Sequence, residues 1–214
     1  MNYTVIAERL KKLQGLSLKI GAHSPDSTFC VMEAVAFVAG EKWTDSPQCA
    51  CPVISAFLRS WNDALPTDAD RDRLLKPFIS KLVNTKNKSL EEKRSLMAAD
   101  WLVRVHTPAW LRLAKLEDQA QLLESLPEIT SMAQIPSIKG PIEAVRKDAA
   151  AARDAAGDAV WAAAGDAARA AAWDAAWAAA WAAARDATWD ALKPTVQKLQ
   201  QSALELVERM IEAS

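Results

Sequence analysis

From Arg153 to Lys193 every fourth residue is Trp, Arg, Gly or Lys, and the three residues between are almost entirely Ala and Asp. The second residue after each of these positions is Ala in all ten tetrads, and the third is Ala in seven. Alanine has the highest intrinsic helix propensity, so such a tract is committed to a long, thin helix. A step of four residues overshoots a helical turn by about 40°, so the bulky positions wind slowly around the rod. On that spiral Trp173, Trp177 and Trp181 form a ladder of neighbouring rings, with Arg169 and Arg185 in the same stripe and Trp189 further round. Gly157 and Gly165 each weaken the helix by about 1 kcal/mol relative to Ala, which favours kinks there.

The remainder of the chain is punctuated by proline and reads as helices. Ile6, Leu10 and Leu13 give a short amphipathic helix ending near Gly15, and Cys30 to Ala39 another, terminated by Gly40. Pro52 suits the first turn of a helix running to about Leu65, with Val53, Ala56, Phe57 and Trp61 on one face. Thr67 with Asp70, and Ser89 with Glu92, have capping spacing. Pro77 divides one segment, and Thr107-Pro108 opens another. Pro127, Pro136, Gly140 and Pro141 interrupt the approach to the tetrad tract, and Pro194 ends it or opens the last helix. Val196, Leu199, Ala203, Leu206, Val207 and Met210 then give that last helix an apolar face. Alternating Val/Ile/Thr runs and hairpin turns are missing. The expected fold is all-α: a compact helical body over residues 1–140, with 141–214 forming the Ala-rich helix and a C-terminal helix packed on it as one cooperative domain.

Length and charge narrow the function. The chain has 214 residues, 26 basic and 27 acidic, for a net charge of −1. No global positive field exists to support general nucleic-acid or anionic-membrane binding. The most apolar stretch, Ala159 to Ala184, is broken by Asp166, Arg169 and Asp174, which argues against a membrane span. The first residues are amphipathic and mixed in charge, without a signal-peptide core, so cytoplasmic residence is the expectation. Three cysteines fit a reducing compartment better than a disulfide framework.

Two stretches carry a resemblance. One runs from Cys30 through Val-Met-Glu-Ala-Val-Ala-Phe-Val-Ala-Gly-Glu-Lys-Trp-Thr-Asp-Ser-Pro-Gln-Cys to Ser60-Trp-Asn-Asp-Ala-Leu. The other is Met97-Ala-Ala-Asp-Trp-Leu-Val-Arg-Val-His-Thr-Pro-Ala-Trp-Leu. With the Trp-Asp-Ala-Ala repeats, they resemble an uncharacterised all-helical family of phage and bacterial proteins. The layout also looks like immunity-type proteins that end in Ala-rich repeats. The resemblance implies a setting of phage–host or inter-bacterial conflict, in which such proteins bind, block or sequester. It brings no catalytic residues.

Chemistry-bearing residues are few. His23, Cys30, Cys49 and Cys51 have the side chains of a zinc site but lack its usual Cys-x-x-Cys spacing. The simpler reading makes Cys30 a small core residue and the other two free loop thiols. Cys30 beside Glu33, Asp45 or His106 has the composition of a nucleophile set, and an enzyme built on Cys30 is one alternative. Phosphate-binding Gly-rich loops, His-Glu-x-x-His and Gly-x-Ser-x-Gly are missing, and no cofactor is expected. The leading expectation is a non-enzymatic protein that binds a protein partner through Trp173, Trp177, Trp181, Trp189, Arg169 and Arg185. A second is a sponge for a small anionic aromatic ligand such as a nucleotide signal, in a pocket lined by the same Trp and Arg side chains. An exposed part of the ladder also invites a homo-oligomer.

Overall fold

The computed structural model describes residues 2–24, 28–170 and 175–213, with side chains described outside 153–189. The regular secondary structure of the described residues is helical, joined by loops. Their only β-type pairing is an isolated parallel bridge between Leu18 and Phe29. No helix among them is long and apolar enough to cross a membrane. The chain divides into two compact units, Met1–Ala98 with Ala203–Ser214, and Ala99–Ser202.

The first unit contains α1 (Ala7–Gln14), α2 (Val31–Ala39), α3 (Pro52–Ala64), α4 (Asp68–Leu75), α5 (Ile79–Leu82) and most of α6 (Lys88–Trp101). Its centre is α2, eight of whose nine residues are buried. A helix that is apolar on every side has no solvent face to present, so its neighbours must enclose it. Both ends of α2 are fixed locally. Cys30 and Glu33 form a reciprocal capping box, and Gly40 closes the helix at φ +76°, a conformation that costs glycine nothing.

The inward face of α3 is not the expected one. Ile54, Ser55, Leu58 and Asn62 are buried, while Val53, Phe57 and Trp61 are half-buried and Ala56 is exposed. The reason is Asn62. Its amide accepts from Val31 N at 3.3 Å and donates to the Lys19 carbonyl at 2.9 Å, which turns the 54/58/62 ridge inward. Phe57 and Trp61 meet edge to face on the flank, 6.1 Å apart. Thr67 caps α4 by accepting from Asp70 N, and Pro77 sits in a 3₁₀ turn, Lys76–Phe78, that separates α4 from α5. At the start of α6 the capping oxygen belongs to Asn87, which accepts from Ser89 N and from Ser89 Oγ. Ser89 therefore does not act as the cap. Ala203, Leu206, Val207 and Met210 complete this unit's core.

In the second unit α6 continues without a break into a π-helical turn, Leu102–His106, and then α7 (Thr107–Leu113). Thr107-Pro108 opens α7, as expected: Pro108 lies in its first turn, where its missing N–H is tolerated, and the wider turn before it absorbs the register change, so that α6 runs into α7 without a gap. Thr107 Oγ1 donates to the Leu102 carbonyl across that turn at 2.7 Å. Next come α8 (Glu117–Glu124), α9 (Ile135–Ala170) and α10 (Ala175–Glu212). Pro141 lies within α9 and Pro194 within α10, so neither punctuates the chain. Leu111, Ala120, Leu123 and Val145 form this unit's core, flanked by Val103, Leu116, Leu126 and Ile142. Arg112 pins α7 to α8 with a bidentate grip on Glu124 and a bond to Glu117.

Candidate functional site

Of the four weak metal candidates, His23 and Cys30 share one carboxylate, that of Glu33, while Cys49 and Cys51 are held elsewhere, by Glu41 and Thr85. The buried carboxylate of Glu33 accepts from His23 N (2.7 Å), His23 Nδ1 (2.9 Å) and Cys30 N (2.7 Å). The His23 carbonyl accepts from the indole of Trp43 at 2.8 Å, and the Trp43 ring packs on Phe29, 4.8 Å between centroids. This set ties the segment before α2 onto its first turn. Cys30 Sγ accepts from Glu33 N at 3.5 Å, and burial pushes its thiol up to about 12. It is a helix cap, protonated at neutral pH, whereas a thiol nucleophile requires the thiolate.

Cys49 and Cys51 are free thiols, as is Cys30, and they sit in the expected loop, but both are buried. The loop is drawn inward by polar clamps. Glu41 accepts from Gln48 N at 2.7 Å and Cys49 N at 2.6 Å, and Thr85 Oγ1 accepts from Cys51 N at 3.0 Å. Burial, reinforced by Glu41, pushes the Cys49 thiol up to about 12. Among the described residues no three His, Cys, Asp or Glu side chains gather in a way that could hold a metal ion.

The six expected contact residues lie outside the described residues: Trp173 altogether, and Arg169, Trp177, Trp181, Arg185 and Trp189 in their side chains.

Within the second unit a different surface stands out. Leu102 (50 % exposed), Val105 (40 %), Trp110 (37 %) and Leu113 (37 %) are large apolar side chains open to solvent. Their spacing along the π turn and α7 places them within roughly a third of the helix circumference. Opposite them Pro108 and Leu111 are buried. Polar contacts hold the aromatic part of this face in place. Trp110 Nε1 donates to His106 Nε2 at 3.1 Å, so His106 carries its neutral-state proton on Nδ1. The His106 ring also lies 5.1 Å from that of Trp101, whose indole donates to Ser202 Oγ at 3.0 Å. Asp100 Oδ1 accepts from Arg104 at 3.1 Å and from Ile129 N at 2.9 Å, anchoring the start of the face. The sequence offered His106 only as a partner for Cys30 and did not single out Trp110. The available signal was the spacing of Leu102, His106, Trp110 and Leu113, which reads as an apolar stripe without saying whether it faces inward or outward.

Comparison of the chain with protein-family models, with curated proteins and with solved structures finds no match.

Proposed function

We propose that this is a non-enzymatic interaction protein, acting by binding a protein partner through the Leu102–Leu113 face. The observation that carries this reading is the exposure of Leu102, Val105, Trp110 and Leu113 together on one side of a helix. Leaving one such side chain in water is ordinary, but a grouped set with Trp at its centre is the pattern of a docking surface. Trp supplies large area with few rotatable bonds, and the His106 acceptor fixes the ring before contact, which lowers the ordering cost of binding. The partner chemistry that fits is an amphipathic helix laying its apolar side along the π turn and α7.

The Trp and Arg stripe of the tetrad tract is a second contact region within the same proposal, carried by its sequence pattern alone. A counter-defence or immunity-type role is the biological setting that the resemblance supplies. The raised Cys30 thiol favours binding over an activity built on that residue.

The test is quantitative capture from bacterial lysate with four proteins: wild type, Trp110→Ala, Trp177→Ala and Arg185→Ala. Substitutions on an exposed face should leave stability within about 1 kcal/mol. Loss of one defined partner in Trp110→Ala, at unchanged melting temperature, is the expected result. A partner retained by all three variants would remove both contact regions from consideration.

A further inference from the structure

In the first unit, a cleft of about 420 Å³ opens between three segments that are far apart in sequence, lined by Asn2, Tyr3, Gln48, Cys49, Asn84 and Lys86. That volume lies within the range of small-molecule pockets. Its walls are held by polar clamps. Asn84 takes the left-handed backbone conformation at φ +69° and turns its amide onto the main chain of Tyr3, accepting from Tyr3 N at 2.8 Å and donating to Tyr3 O at 2.7 Å. Lys86 N donates to the Cys49 carbonyl at 3.3 Å, and Lys86 Nζ donates to Gln48 Oε1 at 2.6 Å.

These clamps determine what the lining has left to offer. Gln48 spends its oxygen on Lys86, which leaves its NH₂ group as donor. Asn84 spends its oxygen and one N–H on Tyr3, keeping a second N–H. Lys86 keeps two ammonium protons, and among the described residues of the lining it is the one formally charged side chain. Glu41 lies behind the wall with its oxygens committed to Gln48 N and Cys49 N. Partial burial, with Glu41 and Cys49 nearby, raises the Tyr3 phenol, so it too stays a protonated donor. The same Glu41 charge opposes a second negative charge on anything that enters.

We propose that this cleft is a binding site for a small monoanion, whose carboxylate or phosphate-type oxygens are received by Lys86 Nζ, the Gln48 amide and the Tyr3 hydroxyl. The site is independent of the Leu102–Leu113 face and would let the protein respond to a metabolite.

Benzoate and inorganic phosphate, titrated at constant ionic strength near pH 6, serve as probes. The readout is the ¹H–¹⁵N signals of the Gln48 side-chain amide and of the Cys49 and Lys86 backbone. A saturable response is expected, to benzoate if the natural ligand is an organic acid and to phosphate if it is an oxyanion. Lys86→Met, which keeps the aliphatic stem, should weaken binding about tenfold, the loss of one charge-assisted bond. If that variant does not fold, Tyr3→Phe, lacking only the hydroxyl, decides in the same way. No saturable response to either probe, or an affinity undiminished in the variant, overturns the proposal.

Discussion

Arg94 donates its Nε to the carbonyl of Met210 at 2.7 Å, joining residues 116 positions apart in the chain. Its Nη1 donates to the carbonyl of Thr85 at 2.6 Å, and Arg94 is 2 % exposed. Among the described residues no ion pair satisfies this buried cation. It rests on carbonyls, one of them in the last turn of α10, where the helix dipole places partial negative charge. Arg94→Met should therefore leave two buried carbonyls without a donor and cost about 3 kcal/mol. Met210→Ala, at a fully buried side chain, should cost a similar amount, about 2–4 kcal/mol, through the cavity it leaves. Urea denaturation of both variants checks this, and a loss below about 1 kcal/mol in Arg94→Met would mean that water replaces the guanidinium.

The three thiols should be silent in the native protein. Cys30 and Cys49 are both pushed up from an ordinary 9.0 to about 12, chiefly by burial. Iodoacetamide at neutral pH, read by mass spectrometry, should label them only as fast as the protein unfolds. The same shifts set an alkaline limit. Between about 9 and about 12 the unfolded chain releases thiol protons that the folded chain retains, so the folded state binds more protons and stability falls as pH rises. The thiol contribution is fully present below pH 9 and is lost across that window. Rapid labelling of Cys30 at pH 7 would revive the nucleophile alternative.

His106 should titrate below its ordinary value of 6.5, because burial disfavours the imidazolium. Protonation places a donor on Nε2, where Trp110 now donates, so the bond between them breaks. A depressed histidine contributes stability above pH 6.5 and loses it as pH falls through the lower, folded-state value. The Trp110 indole ¹H–¹⁵N signal should therefore move with a midpoint under 6.5, and Trp110→Ala should remove the coupling. A midpoint at or above 6.5 would mean that His106 is more hydrated than its packing between Trp101 and Trp110 implies.

Helix starts and stops were legible where one residue's backbone preference decides them: Gly40 after α2, Pro52 at the start of α3, Thr67 before α4 and Pro77 between α4 and α5. The all-helical class followed from hydrophobic spacing. Features that depend on a distant partner were not legible. Asn62 is buried because Val31 and Lys19 offer it a donor and an acceptor across the unit, and that reverses the face of α3. Asn87 displaces Ser89 as the α6 cap because two residues with capping side chains compete and only geometry chooses. Pro141 and Pro194 inside helices, and Pro108 after a π turn, show that proline constrains its own turn without saying whether the helix ends. The stripe of Leu102, Trp110 and Leu113 could be seen in the spacing, but its exposure could not, since periodicity is the same for a core face and a docking face.

Gly40 offers a way to separate backbone strain from steric contact. Its φ of +76° lies in the left-handed region, and a Cβ there would stand 3.1 Å from Ile6 Cδ1. Gly40→Ala should cost about 1–2 kcal/mol, most of it from the backbone conformation. The contact with Ile6 is a flexible side-chain tip that can shift by a few tenths of an ångström. Ile6→Val removes Cδ1 while leaving the bond from Ile6 N to the Val38 carbonyl, 2.9 Å, intact. In the double variant the two costs should sum to slightly more than the measured loss, with a coupling of about 0.5 kcal/mol. Full additivity would assign the whole penalty to backbone strain. A coupling as large as the Gly40→Ala effect itself would instead make the α1–α2 junction, through Ile6, the reason that glycine occupies this position.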